Sequence, residues 1–295
     1  MHLRIANAPT SWGVEDPRDP ANPPWSRVLD DVAAAGYPGV ELGPLGYLPE
    51  DPVRLRRELD ARELELVAGF VFAPLHTGEG AAEALRLGRR TCELLAEGGA
   101  GCLVIIQGFT PERERAAGRA GEAAPLTDAE WETLTRTVHA LARVAREDHG
   151  LVPCIHPHAG THVEFEPEIE RALAATDPEL VSLCIDTGHC AYADVDPVAL
   201  YRRHADRVAY FHLKDVRPER LAGHSLSFEE AVGEGVFCPL GEGAVDFAAL
   251  RDGLDEHGFD GWAAVEQDRL PTDTSSPAEH AAASMRHLRA VGLAR

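Results

Sequence analysis

Hydrophobic residues along the chain fall into short runs separated by longer mixed segments. Runs at 3–8 (LRIANA), 39–43 (GVELG), 64–71 (LELVAGFV), 102–107 (CLVIIQ), 151–156 (LVPCIH), 181–186 (VSLCID), 207–213 (RVAYFHL) and 261–266 (GWAAVE) read as eight strands. Several are almost continuously apolar, the pattern of parallel strands covered on both faces. Between them the spacing predicts helices over 24–35, 52–62, 80–97, 127–148, 166–175, 197–205, 246–257 and 277–292. The punctuation agrees. Asn22-Pro23 opens the first helix and Gly36 follows its end, Gly98-Gly99 closes the third, and Thr127 with Glu130 forms a capping-box signature.

Eight β-then-α units predict a (β/α)8 TIM barrel. A doubly wound open sheet would place a glycine-rich phosphate loop after an early strand, and no such motif stands there. The segment GEGVFCPLGEG (233–243) has the glycines without the preceding strand or the following Lys-Ser/Thr. No linker interrupts the alternation, so residues 1–295 read as one domain. The connections 108–126 and 214–245 are too long for plain turns, and both follow strand C-termini, where barrel enzymes keep their working loops.

Charge narrows the partners. With 28 Lys+Arg against 49 Asp+Glu the formal charge is −21. That disfavours nucleic acid and anionic membranes as partners, because both call for clustered cations. No apolar run approaches a membrane span, and the run in MHLRIANAPTSWG is too short for a signal peptide. The six cysteines show no CxxC, and Cys102, Cys154 and Cys184 lie in apolar runs, so a reducing cytoplasm is expected. Lys214 is the only lysine; every other basic side chain of that count is Arg.

Polar residues at the strand C-termini point into the shared mouth of a barrel. These are Glu41, Gln107, His156 with His158 and then Glu164, Asp186 with His189, His212 with Lys214, and Glu266. Singly, each has a structural reading: Asp186 as a helix cap, a histidine as a hydrogen-bonded strand end. Together they set carboxylates and imidazoles at one end of the fifth to eighth strands. Ionised groups packed so closely need a counter-charge, and a divalent cation supplies it. Oxygen and nitrogen donors without sulfur suit Mn2+ or Co2+ first, with Mg2+ or Zn2+ also compatible. Trp12, after the first strand, is expected to wall the pocket. Trp25 and Trp262 are expected to pack in the core.

The chain resembles the xylose-isomerase-like barrels, a superfamily of sugar isomerases, epimerases and endonuclease-IV-type enzymes. Within it, the chain is similar to the inosose (2-keto-myo-inositol) dehydratases. NAPTSWG (7–13), AGYPGVELGPLGYLPED (35–51), HPHAGTHVE (156–164), DTGH (186–189), HLKDVR (212–217) and GWAAVEQD (261–268) carry the likeness. DTGH and HLKD belong to the whole superfamily; SWG, ELGPLGYLP and HPHAGTHVE are specific to the dehydratases.

The resemblance implies Asp186, His212 and Glu266 as metal ligands. The fourth, a Glu on the fifth strand in many relatives, falls to Glu164, His156 or His158, with Glu164 favoured. It further implies removal of water from a cyclic keto-polyol, a small polyol or keto-sugar substrate, through an enediolate stabilised by the metal. His189 or His158 would act as base or acid. Glu41, Trp12, His156 and Gln107 would contact substrate. Lys214, two residues beyond His212 and so on the same strand face, would stabilise an enolate oxygen or act as an acid with a depressed pKa. A sugar or keto-sugar isomerase or epimerase of the same superfamily is the alternative. Barrels of this kind often associate, which leaves a homo-oligomer open.

Overall fold

The computed structural model describes residues 2–221, 225–270 and 272–294. Residues 222–224, inside the expected 214–245 loop, lie outside the described residues, as do both ends of the 1–295 span. The strands are β1 (His2–Asn7), β2 (Gly39–Val40), β3 (Glu65–Leu66), β4 (Ala68–Ala73), β5 (Cys102–Gln107), β6 (Val152–His156), β7 (Ser182–Asp186), β8 (Val208–Leu213), β9 (Asp215–Val216), β10 (Phe237–Cys238) and β11 (Asp260–Val265). One parallel sheet runs β3-β2-β1-β11-β8-β7-β6-β5-β4. Its two ends are consecutive in the chain, joined through Val67, so the sheet closes on itself. The expected third strand is thus present but divided. Its first part pairs with β2 and its second with β5. The Val67 N–H bonds the Val40 carbonyl at 3.0 Å, and the Ala68 carbonyl accepts from Leu42 N–H at 2.9 Å, carrying the seam across the break.

The helices are α1 (Trp25–Ala34), α2 (Pro52–Asp60), α3 (Gly78–Gly98), α4 (Pro111–Arg115), α5 (Asp128–Arg143), α6 (Glu166–Ala175), α7 (Thr187–Tyr192), α8 (Pro197–His204), α9 (Pro218–Leu221), α10 (Phe228–Gly233), α11 (Phe247–Glu256) and α12 (Pro277–Val291). The eight expected helices all form, and the Thr127–Glu130 capping box is reciprocal. The fifth-helix segment ends in a π turn at Val144–Asp148. The long connections hold the elements that periodicity does not announce: α4, α9, α10 and the antiparallel β9–β10 pair. Among the described residues, no helix is long and apolar enough to cross a membrane.

Alternation along the strands sorts the core into two layers. Leu103, Ile105, Ile155, Leu183, Ile185, Phe211, Leu213 and Val265 face outward into the packing between barrel and helices. Cys102, Val104, Ile106, Cys154, Cys184, Tyr210 and Ala264 fill the barrel interior. Trp25 packs partly buried beneath Arg54, while Arg4 covers Trp262 at the closed end. The inner rows change character toward the strand C-termini. On β6, β7, β8 and the end of β11 they turn from Cys154, Cys184, Tyr210 and Ala264 to His156, Asp186, His212 and Glu266. On β4 and β5 they stay apolar, as Phe70, Phe72, Val104 and Ile106.

Candidate active site at the barrel mouth

A cavity of about 560 Å³ opens at the C-terminal end of the barrel. His156, His158, His212, Lys214, Glu266 and Asp268 line its polar side. Register places Asp186 opposite His212 and His212 opposite Ala264, the residue two before Glu266.

Asp186 shows how local folding aims a ligand. Its Oδ1 caps α7, accepting from the N–H groups of Gly188 (2.9 Å) and His189 (2.8 Å). Its Oδ2 is buried without a hydrogen-bond partner. The capping reading of this residue and the site reading therefore both hold, one oxygen each. Oδ2 lies 3.4 Å from His156 Nε2 and 3.7 Å from His212 Nδ1. His212 Nδ1 is 3.1 Å from His156 Nε2 and 3.3 Å from Glu266 Oε2. Those separations match the edges, about 3.4 Å, of a tetrahedron with bonds near 2.1 Å to a central ion. Asp186 Oδ2 makes no hydrogen bond, with the Lys214 ammonium 3.4 Å away, so a lone pair is left for a cation. These residues fit a divalent ion and share overlapping groups able to hold one: His156, Asp186 and His189; His156, Cys184 and His212; and Glu41, His212 and Glu266.

The second layer supports that fit. His212 Nε2 stands 3.0 Å from Glu41 Oε1, which also accepts from the Tyr210 hydroxyl at 2.7 Å. Glu41 thus receives the ring N–H of His212 and leaves Nδ1 facing the other donors. It does not line the cavity, so its expected substrate contact is replaced by an orienting one.

Lys214 supplies part of the counter-charge. Its Nζ donates to Asp268 Oδ1 at 2.7 Å and to His189 Nε2 at 3.0 Å, and lies 3.2 Å from Glu266 Oε2 and 3.4 Å from Asp186 Oδ2. Burial opposes the charged ammonium, but Asp186, Asp268 and Glu266 outweigh it and raise its pKa well above the ordinary lysine value. These carboxylates favour the charged ammonium over the depressed-pKa acid. The Thr187 hydroxyl donates to the Lys214 carbonyl (2.6 Å) and accepts from its N–H (2.9 Å). A Cβ at Gly188 would meet Lys214 Cβ at 2.6 Å, so the glycine of DTGH makes room for this lysine.

The histidines divide by neighbours. Burial lowers His156 to about 4, with His212 and Lys214 adding to the shift, and burial lowers His158 and His189 well below the usual imidazole range. All three are neutral near pH 7. His212 is the opposite: burial is overcome by Glu266, Glu41 and Asp186, which push it up to about 9. His158 Nδ1 donates to the Ala159 carbonyl at 2.8 Å, leaving Nε2 unprotonated in the neutral ring. The ring lies against His189, with centroids 3.7 Å apart.

Three expected site residues lie elsewhere. Glu164, the favoured fourth ligand, sits behind the mouth. Its carboxylate accepts from Gly118 N–H at 2.6 Å and from Arg113 at 3.3 Å. The chain turns at Gly160 (φ 78°) before reaching it, and His156 holds the position among the other donors instead. Trp12 turns outward: its indole N–H bonds Asp31 on α1 at 3.2 Å, and the ring joins the outer core. Gln107 bonds His76 Nδ1 (2.8 Å) and the Gly108 carbonyl (2.9 Å), away from the cavity lining.

Other residues were not anticipated. Glu15 lines the cavity with an exposed side chain. The surrounding cavity walls and the nearby Asp268 and Glu266 carboxylates shift its carboxyl upward. Burial also raises Asp268. The glycine-rich segment 233–243 has its own occupant: Asp215 accepts from the N–H groups of Gly241 (2.9 Å), Gly243 (3.0 Å) and Val245 (3.0 Å).

A parallel barrel with an imidazole–carboxylate cluster in its mouth defines a class, and comparison with known proteins narrows it. Residues 29–291 match the family described as xylose isomerase-like TIM barrel. An inosose dehydratase of Geobacillus kaustophilus is 36% identical over 275 residues, covering 91% of this chain and 88% of that protein. Among solved structures, the IOLI protein with a bound zinc atom superposes with a TM-score of 0.73 at 15% identity, covering 99% of both chains. The 3-keto-D-glucoside 4-epimerase of E. coli gives 0.72 at 16% identity, covering 98% of this chain and 99% of that one. The chain belongs to the inosose dehydratase family of xylose isomerase-like TIM barrels, whose activity is that of a hydro-lyase.

Proposed function

We propose that the protein is a metal-dependent dehydratase that removes water from inosose, working as a one-domain barrel in a reducing cytoplasm. The observation that carries the reading is the convergence of His156 Nε2, Asp186 Oδ2, His212 Nδ1 and Glu266 Oε2, within 3.1–3.7 Å across the measured pairs. These four residues would hold the ion. Two imidazoles and two carboxylates suit Mn2+ or Co2+, and the tetrahedral separations also admit Zn2+. Bound there, a divalent cation supplies Lewis acidity toward the ketone oxygen of the substrate.

His158 is the base. Its Nε2 carries a lone pair, its ring lines the cavity, and its low pKa keeps it neutral and ready to take the proton α to the ketone. Lys214 stays protonated and stabilises the negative charge that develops on the substrate oxygen. His189 and Asp268 hold that ammonium in place. Glu15, which faces the cavity, gives the proton to the departing β-hydroxyl. The acidic lining residues, Glu15, Asp16, Asp19, Glu114 and Glu229 among them, outnumber Lys214 and Arg269, which favours an uncharged keto-polyol over a phosphorylated one.

Ultraviolet absorbance during incubation with inosose tests the reading. A dione chromophore should grow in, vanish with a chelator and return with added Mn2+ or Co2+. An unchanged spectrum with metal present sinks it.

A further inference from the structure

The cavity has a second, apolar side that packs against His158 through Phe72, Phe109 and Phe228 and extends beyond it. Phe70 and Phe72 on β4 and Ile106 on β5 face it, joined by Phe109, Phe228 and Leu270 from the loops. Register sets Phe72 beside Ile106 and Ile106 beside His156, so one row of inner residues passes from apolar to polar between β5 and β6. The rings make a continuous wall: Phe72–Phe109 centroids are 5.0 Å apart and Phe109–Phe228 5.5 Å. Phe70, Phe72, Phe109 and Leu270 remain only half-buried, although they line the interior of a deep cavity.

A six-carbon polyol presents hydroxyls around its whole rim, and one aromatic face suffices to stack on its C–H surface. A wall of four phenylalanines with two aliphatic neighbours exceeds that need. The volume of about 560 Å³ is also that of a pocket for a drug-sized ligand rather than for a lone ring. Hydroxyls set against this wall would lose water without gaining a partner, whereas apolar atoms there would gain affinity.

We propose that the site takes cyclic keto-polyols carrying an apolar substituent, an O-alkyl or O-aryl ether, with the substituent against the β4–β5 wall and the ketone at the imidazole–carboxylate side. This rests on the dehydratase reading for the placement of the ketone.

Binding to the Mn2+-loaded protein tests it by calorimetry, with myo-inositol as the non-reacting parent and its regioisomeric monobenzyl ethers as probes. At least one ether should bind more tightly than the parent by roughly 10-fold or more. Phe109→Ala and, separately, Leu270→Ser should shrink that ratio severalfold. Ethers that all bind no better than myo-inositol overturn the proposal, as does a ratio that neither variant changes. Inosose turnover by the same preparation keeps the two readings apart. Its absence defeats the dehydratase reading, while the binding ratio still decides on the wall.

Discussion

Replacing Lys214 with methionine removes a buried charge while keeping an unbranched side chain of similar length. Three carboxylate oxygens lie 2.7, 3.2 and 3.4 Å from its Nζ. At an effective dielectric of about 20, each attraction is about 5–6 kcal/mol before solvation is counted. Desolvation of the ions offsets most of that sum, and breaking buried pairs costs ~3–5 kcal/mol in practice. The metal-stripped variant should therefore be less stable by ~3–5 kcal/mol at pH 8, a fall of roughly 6–15 °C in Tm. The sign with pH follows from the carboxyls. Lys214 helps hold the Asp186 pKa well below its ordinary value, so that stability is present at neutral pH and lost in acid. Without the ammonium, the carboxyls shift upward, their folded form prefers protons, and the gap to wild type narrows as pH falls toward 4. Urea unfolding at pH 8 and pH 5 with chelator measures this. Divalent metal should then raise the Tm of Lys214→Met more than that of wild type, since one fewer cation competes for Asp186 and Glu266. Dehydration should be lost even with metal restored. Equal stability at pH 8 without metal, or a smaller metal-induced rise in the variant, would refute the reasoning.

Three further outcomes are expected. Glu41→Gln should weaken divalent metal binding about 10–100-fold by titration calorimetry, since the carboxylate behind His212 Nε2 is lost; an unchanged Kd would remove Glu41 from that role. Burial raises the Glu164 carboxyl to about 7, above its unfolded value, so its contribution to stability is complete in acid and lost as pH rises through 7. Glu164→Gln should therefore gain on wild type between pH 5 and pH 8 in urea melts, with Arg113 still paired to Glu168 at 2.7 Å; a pH-independent difference would contradict this. Trp12→Phe should cost about 1 kcal/mol through the lost bond to Asp31 and leave kcat/KM for inosose within about twofold; a large loss of turnover would return Trp12 to the pocket.

What was legible in the sequence follows the reach of strand alternation. Within a strand, the inner face is fixed by period two, so Asp186 and His212, with Glu266 one residue past β11, could be assigned to one volume from their positions alone. Lys214, one residue past the end of β8, still obeyed it because Thr187 holds its peptide on both sides. Beyond a strand end the rule lapses. Trp12 ends a 3-10 turn that points it outward, and Glu164 follows the Gly160 turn toward Arg113. Glu15 enters the mouth by the same irregular route, with no periodic signal to mark it. Phe70 and Phe72 were hidden for another reason. An apolar residue facing a cavity has the same pattern as one facing a core, and only closure of the barrel separates the two.

The chain's single lysine is both charged and 1% exposed. Apart from the amino terminus, amine-directed reagents such as activated esters therefore find no lysine on the folded surface. Lys214 is reached only through the cavity it lines, and its neighbours hold it as the ammonium, which does not attack an activated ester.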